Sequence, residues 1–175
     1  MREVLVVVDM QKDFVNGALG TKEAEEIVQH VVSKIRDFHG EIIVTYDTHQ
    51  KDYMTTREGK YLPVEHCIEN TDGWQLDEKV ENALDGKNVK RLKKPTFGST
   101  ELVELFQKYD ALETEVTLIG LCTDICVVSN AMLLKAYYPE MNISIDAKCC
   151  AGVTPETHNA ALTTMKMCQM NIIEA

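Results

Sequence analysis

The chain has 175 residues, with 28 Asp plus Glu against 18 Lys plus Arg, a net charge of −10 and six cysteines. That charge repels phosphate backbones and anionic bilayers, so neither nucleic acid nor a membrane is an expected partner, and no apolar run nears the ~18 residues of a spanning helix. The length suits one domain with a sizeable core, and thiols at the uneven positions 67, 122, 126, 149, 150 and 168 read as reduced cysteines of a cytoplasmic protein, not a disulfide framework.

In chain order, Val4–Val8 is a dense apolar run that closes on Asp9. Only five consecutive apolar residues lead into Asp9, too few for a secretory h-region. Thr21 is placed to cap a helix running to about Phe38, with Ala24, Ile27, Val28, Val31 and Ile35 on one face and Gly40 as its stop. Ile42–Tyr46 is the second dense run and leads into Asp47-Thr48-His49. Residues 50–73 show no periodicity, and a connection this long is usually functional or disordered. A helix is expected over Leu76–Leu84 and a weaker strand over Asn88–Leu92, ending near Lys94. Ser99 or Thr100 caps a segment to Tyr109. The run Val116–Ile119 feeds Gly120-Leu121-Cys122-Thr123-Asp124-Ile125-Cys126, and a helix opens at Asp124 and ends before Pro139. Ile143–Ile145 and Asn171–Ile173 are the last strands, separated by a helix that starts at Thr154-Pro155 and runs to about Gln169. Alternating β and α segments with nearly unbroken apolar strands predict an α/β fold with a mostly parallel sheet between helices.

In such sheets the site lies beyond the carboxyl ends of the strands. Those ends carry Asp9, Asp47, His49, Lys94, Cys122 and Cys126. Cys126 falls in the first turn of its helix, where the dipole and a nearby Lys94 ammonium favour a thiolate, so a depressed thiol pKa is expected. Asp9 can then handle the proton, and free N–H groups of the same turn can receive an oxyanion. The competing reading is that Cys126 is a small buried hydrophobe. Asp47 and His49, two apart on an extended segment, face the same way. With Glu58 and His66 from the long loop they can hold a divalent transition metal, zinc, iron or manganese, although each of the four also reads as an ordinary turn or loop residue. Phe14, Tyr61, Leu62 and Trp74 are candidate walls for a small-molecule substrate, and exposed apolar residues such as Met132, Leu133 and Tyr137 point to a homo-oligomer.

Asp9-Met10-Gln11-Lys12-Asp13-Phe14, Asp47-Thr48-His49, Lys94-Pro95-Thr96-Phe97-Gly98-Ser99, Gly120 through Val127 and Thr154-Pro155-Glu156-Thr157-His158 together resemble the isochorismatase-like cysteine hydrolases along the whole chain. The resemblance implies a three-layer α/β/α, Rossmann-like domain over residues 1–175, with 50–75 as a metal and substrate loop. It implies a catalytic triad of Asp9, Lys94 and Cys126, with Lys94 chosen over its neighbour Lys93. It implies a cis peptide at Leu121-Cys122 that turns the N–H groups of Cys122 and Cys126 toward an oxyanion. Nicotinamidases of this family hold a metal through an Asp-x-His pair and later ligands. Asp47, His49 and His66 match, Thr55 stands where many carry another His, and Glu58 falls where a bacterial subset uses Glu. The expected activity is hydrolysis of nicotinamide, a small-molecule amide, to nicotinate and ammonia through a Cys thioester. The alternative is a metal-free amidase or carbamoyl/ureido hydrolase on the same triad. True isochorismatases lack the nucleophilic Cys.

Overall fold

The structure is a computed structural model that describes residues 1–174. Ala175, the last residue of the expected domain, lies outside the described residues.

Six strands form one parallel sheet in the order β3-β2-β1-β4-β5-β6. They are β1 (Arg2–Val8), β2 (Glu41–Asp47), β3 (Val89–Lys94), β4 (Thr114–Leu121), β5 (Asn142–Ala151) and β6 (Asn171–Ile173). The three-layer architecture expected from the β-α alternation is present. Val4–Val8 and every residue of β2 are buried, which is why these strands read as unbroken apolar runs instead of alternating ones.

On one face, α1 (Lys12–Val15), α2 (Lys22–Asp37) and α4 (Glu78–Ala83) pack Phe14, Ile27, Val31, Ile35 and Val80 against Leu5, Val7, Ile42 and Val44. On the other, α5 (Thr100–Phe106), α6 (Val128–Tyr137) and α7 (Pro155–Met167) pack Phe106, Leu134 and Met165 against Val4, Val6, Leu118 and Ile143. Helix starts follow local chemistry. Thr21 accepts from the Ala24 N–H at 3.0 Å, Ser99 from Leu102 at 3.1 Å and Thr154 from Thr157 at 3.2 Å.

The structure revises several boundaries. β5 extends to Ala151, well past Ile145, and a register shift between Leu118 and Gly120 marks where its pairing with β4 slips. The segment 50–73 is not structureless. It holds a 3₁₀ turn at Tyr53–Thr55 and a short helix α3 (Arg57–Tyr61), capped by Thr56. Their period was hidden because Tyr53 is the one buried aromatic there, and its hydroxyl donates to the Leu62 carbonyl at 2.8 Å. The helix after β4 opens with a π turn at Thr123–Val127 before α6 begins.

Candidate active site

Parallel pairing brings the carboxyl ends of β1, β2, β3 and β4 side by side, with Asp47 opposite Lys94 in register. Asp9 follows β1 with φ 47°, the left-handed region, a conformation that costs a non-Gly residue roughly 1–3 kcal/mol and is held there by its surroundings. Its N–H donates to the Thr45 carbonyl at 3.2 Å, and its Oδ1 accepts from the Thr45 hydroxyl at 2.6 Å. The Lys94 ammonium lies 2.6 Å from Asp9 Oδ2, a buried ion pair. The same ammonium donates to the Thr96 carbonyl at 3.0 Å, to Cys126 Sγ at 3.4 Å and to Asp47 Oδ1 at 3.5 Å. Lys93, the neighbour that sequence could confuse with it, points outward to Glu69 at 2.5 Å.

Charge states follow from this packing. Burial alone would discharge Lys94, but Asp9, Cys126 and Asp47 around it hold its pKa above the usual lysine value. Burial raises the Asp9 carboxyl, and Lys94 opposes the rise. The depressed thiol expected at Cys126 is not found. Burial raises it well above the ordinary cysteine value, the Asp9 charge raises it further, and Lys94 offsets only part. The helix-dipole argument failed because Cys126 is enclosed, and because the single ammonium beside it is already matched by a carboxylate. Lys94 thus keeps its charge and Cys126 its proton, with the Asp9 carboxyl between desolvation and the ammonium beside it.

The metal candidates converge. One ligand atom from each of Asp47, His49, Glu58 and His66 lies within 4.8 Å of all the others. His49 Nε2 is 3.0 Å from Asp47 Oδ2 and 3.5 Å from Glu58 Oε1, and His66 Nε2 is 3.5 and 3.7 Å from the same two oxygens. His66 Nδ1 lies 2.8 Å from the Val64 carbonyl, so that nitrogen carries a hydrogen. His66 Nε2 faces two carboxylate oxygens: with a hydrogen it donates to them, which raises its pKa, and with a metal among them its lone pair goes to the cation. Burial pushes Asp47 up, yet hydrogen bonds with both histidines hold it well below the carboxylate range. Two imidazoles and two carboxylates suit a divalent transition metal.

The loop is held by one peptide position. Cys67, at φ 46°, donates its N–H to Asp13 Oδ2 at 2.7 Å and accepts the His49 N–H at 2.9 Å. Both histidines are thus tied to the Cys67 backbone. Gly73 backs onto the same carboxylate, where a Cβ would overlap Asp13. Tyr53 packs on both imidazoles, with ring centroids 4.8 and 5.0 Å away.

Between the Asp9–Lys94–Cys126 group and the four candidate metal ligands lies a cavity of about 260 Å³, mostly apolar, lined in part by Phe14, Leu62, Phe97, Ile125, Cys122 and Cys126, with Asp47, Glu58 and His66 also on its wall. Phe14 and Leu62 stand where expected. Tyr61 does not: it is 91% exposed and lies outside this cavity, because α3 turns it to the outer surface. Trp74 is not a wall either. It packs on Tyr46 and donates to the Thr48 hydroxyl at 2.9 Å. Leu133, read as exposed, packs against the second core. Phe97 and Ile125 were missed as walls, although their places just after Lys94 and just before Cys126 were the available signal. Leu121-Cys122 is cis, as the resemblance implied. Cys149 and Cys150 are buried packing residues, and all six cysteines are free.

The isochorismatase domain family profile matches residues 3–175. Among solved structures, a nicotinamidase/pyrazinamidase of Bacillus subtilis is 28% identical, with a TM-score of 0.85, covering 99% of this chain and 100% of that one. A pyrazinamidase of Pyrococcus horikoshii, solved in complex with zinc, is 26% identical with a TM-score of 0.78 and full coverage of both chains (100% each). The nicotinamidase of Schizosaccharomyces pombe is 26% identical over 97% of this chain and 91% of its own length.

Proposed function

The chain belongs to the isochorismatase domain family, and from that premise we propose that it hydrolyses nicotinamide to nicotinate and ammonia. One observation carries the reading: a thiol, a carboxylate and an ammonium meet at one end of an apolar cavity whose other end is a metal-type donor set. Relatives that bear the names nicotinamidase and pyrazinamidase support it.

Asp9 accepts the Cys126 proton as sulfur attacks the carboxamide carbon. The N–H groups of Cys122 and Cys126 receive the developing oxyanion. Collapse of the tetrahedral intermediate breaks the C–N bond, and Asp9 hands its proton to the leaving ammonia, leaving a thioester on Cys126. Asp9 next takes a proton from water as the water oxygen adds to the thioester carbon. Collapse expels the thiolate, which takes back the proton on Asp9, and the acid departs as nicotinate with its carboxyl proton passing to the released ammonia. Lys94 keeps Asp9 ionised between turnovers. Phe14 and Phe97 give the flat ring apolar walls. A zinc, iron or manganese ion on Asp47, His49, Glu58 and His66 would supply a Lewis acid for the pyridine nitrogen.

The test is ammonia release from nicotinamide and from a panel of linear amides and ureides, with and without chelator. Chelator-sensitive release from nicotinamide, lost in Cys126→Ala with metal content unchanged, is the expected result. Release from ureides alone, insensitive to chelator, would support the metal-free carbamoyl hydrolase instead. Cys126→Ala retaining most turnover would refute both.

A further inference from the structure

The mechanism uses Cys126 but leaves open what fixes the turn that carries it. That turn is a π turn, wider than α and poorer in hydrogen-bond geometry. The N–H groups of Ile125 and Val127 share the Cys122 carbonyl, at 3.1 and 3.0 Å, and Val128 divides its N–H between the Ile125 and Thr123 carbonyls. Backbone bonding alone holds it loosely, yet Sγ must stay 3.4 Å from the Lys94 ammonium.

Two side-chain joints brace it from outside. Thr123, fully buried at the start of the turn, has its hydroxyl 2.7 Å from Nδ1 of His158. Asp124 accepts the Val153 N–H on both carboxylate oxygens at 3.2 Å. Val153 precedes α7 and His158 sits in its first turn, and the helix start is locked by the reciprocal Thr154–Thr157 capping box. Gly152 leaves the room His158 occupies, since a Cβ there would meet the His158 backbone and its Cβ. Burial keeps the imidazole pKa below its ordinary value, so the ring is neutral and a single proton bridges it to Thr123.

We propose that His158 is a positioning residue, which through Thr123 holds the nucleophile turn so that Cys126 meets Lys94 and Asp9. It touches neither substrate nor metal ligands. The proposal rests on the reading of Cys126 as nucleophile. A displacement of about 1 Å at a nucleophile costs on the order of 100-fold in rate, which sets the effect expected.

The experiment compares His158→Ala, His158→Asn, Thr123→Val and the Thr123→Val/His158→Ala double variant. Each is assayed for kcat and KM on nicotinamide, and for iodoacetamide alkylation of Cys126 by peptide mass spectrometry, with Cys150 in the second core as internal reference. The proposal expects His158→Ala to lower kcat about 10–100-fold with KM within about twofold. It expects Cys126 to alkylate faster while Cys150 stays protected, because a loosened turn exposes the sulfur it no longer aims. Asn, which offers a polar group near the Nδ1 position, should restore much of the rate. The double variant should be no worse than the worse single one, since both remove the same bond. An unchanged kcat in His158→Ala, additive losses in the double variant, or parallel exposure of Cys150 would overturn the proposal. Should wild-type protein fail to act on nicotinamide, the alkylation comparison still decides whether His158 fixes the turn.

Discussion

Replacing Lys94 by Met removes an ammonium while nearly keeping the volume of a wholly buried side chain. What remains is the Asp9 carboxylate, itself fully buried, with the Thr45 hydroxyl as its surviving close side-chain hydrogen bond. Breaking one side of a buried pair in this way costs about 3–5 kcal/mol when the orphaned group stays charged. It need not stay charged. Burial already raises the Asp9 pKa, and Lys94 is the main influence opposing that rise, so the variant's carboxyl keeps its proton to a higher pH than in the wild type. Protonation relieves the penalty by about 1.4 kcal/mol per pH unit. An acid whose folded pKa lies above its unfolded value loses stability as pH rises from the unfolded toward the folded pKa. The loss in Lys94→Met is therefore expected to be smaller at pH 5 than at pH 8, with about 3–5 kcal/mol as its limit once the carboxyl is charged. Urea unfolding of the metal-loaded protein at both pH values measures it. Turnover should fall by about 10²–10⁴, the usual worth of a positioned base, because a protonated Asp9 cannot accept the thiol proton. An equal stability loss at pH 5 and pH 8, or a kcat within tenfold of wild type, would refute the charge assignment.

Asp13→Ala strands the buried Cys67 N–H, a cost of about 1–3 kcal/mol. By loosening both histidines it should also weaken metal binding about 10–100-fold in a competitive chelator titration; unchanged affinity would show that the loop is set by other contacts. The raised Cys126 thiol predicts alkylation of the free enzyme that is still climbing at alkaline pH where an ordinary cysteine has levelled off, and a plateau reached below pH 8 would mean a thiolate at rest. Phe97→Ala should raise KM for nicotinamide several-fold, whereas Tyr61→Ala should leave it within about twofold, since only Phe97 lines the cavity. A reversed order in steady-state kinetics would place the ring elsewhere.

Strand positions and helix starts were legible in the chain because they depend on short-range chemistry. Val4–Val8 and Ile42–Tyr46 are apolar on both faces only if both are covered, and Thr21, Ser99 and Thr154 are caps wherever a helix follows them. The same locality placed Asp9, Lys94 and Cys126 at strand ends, since a parallel sheet puts every carboxyl end on one rim. Four residues able to hold a metal were also suggested by residue type, and the structure brings their ligand atoms together. Other features depended on what comes from afar. The charge of Cys126 is set by burial and by a carboxylate 117 positions away in the chain, so a local dipole argument pointed the wrong way. Tyr61 and Leu62 are adjacent, yet α3 sends one outward and the other into the cavity. Phe97 and Ile125 become walls only when the segment after β3 is laid against the turn after β4. The bond from His158 to Thr123 spans 35 residues. Composition and period record which residues must leave water; which partner each then meets is decided by long-range packing, where direction and distance first acquire values.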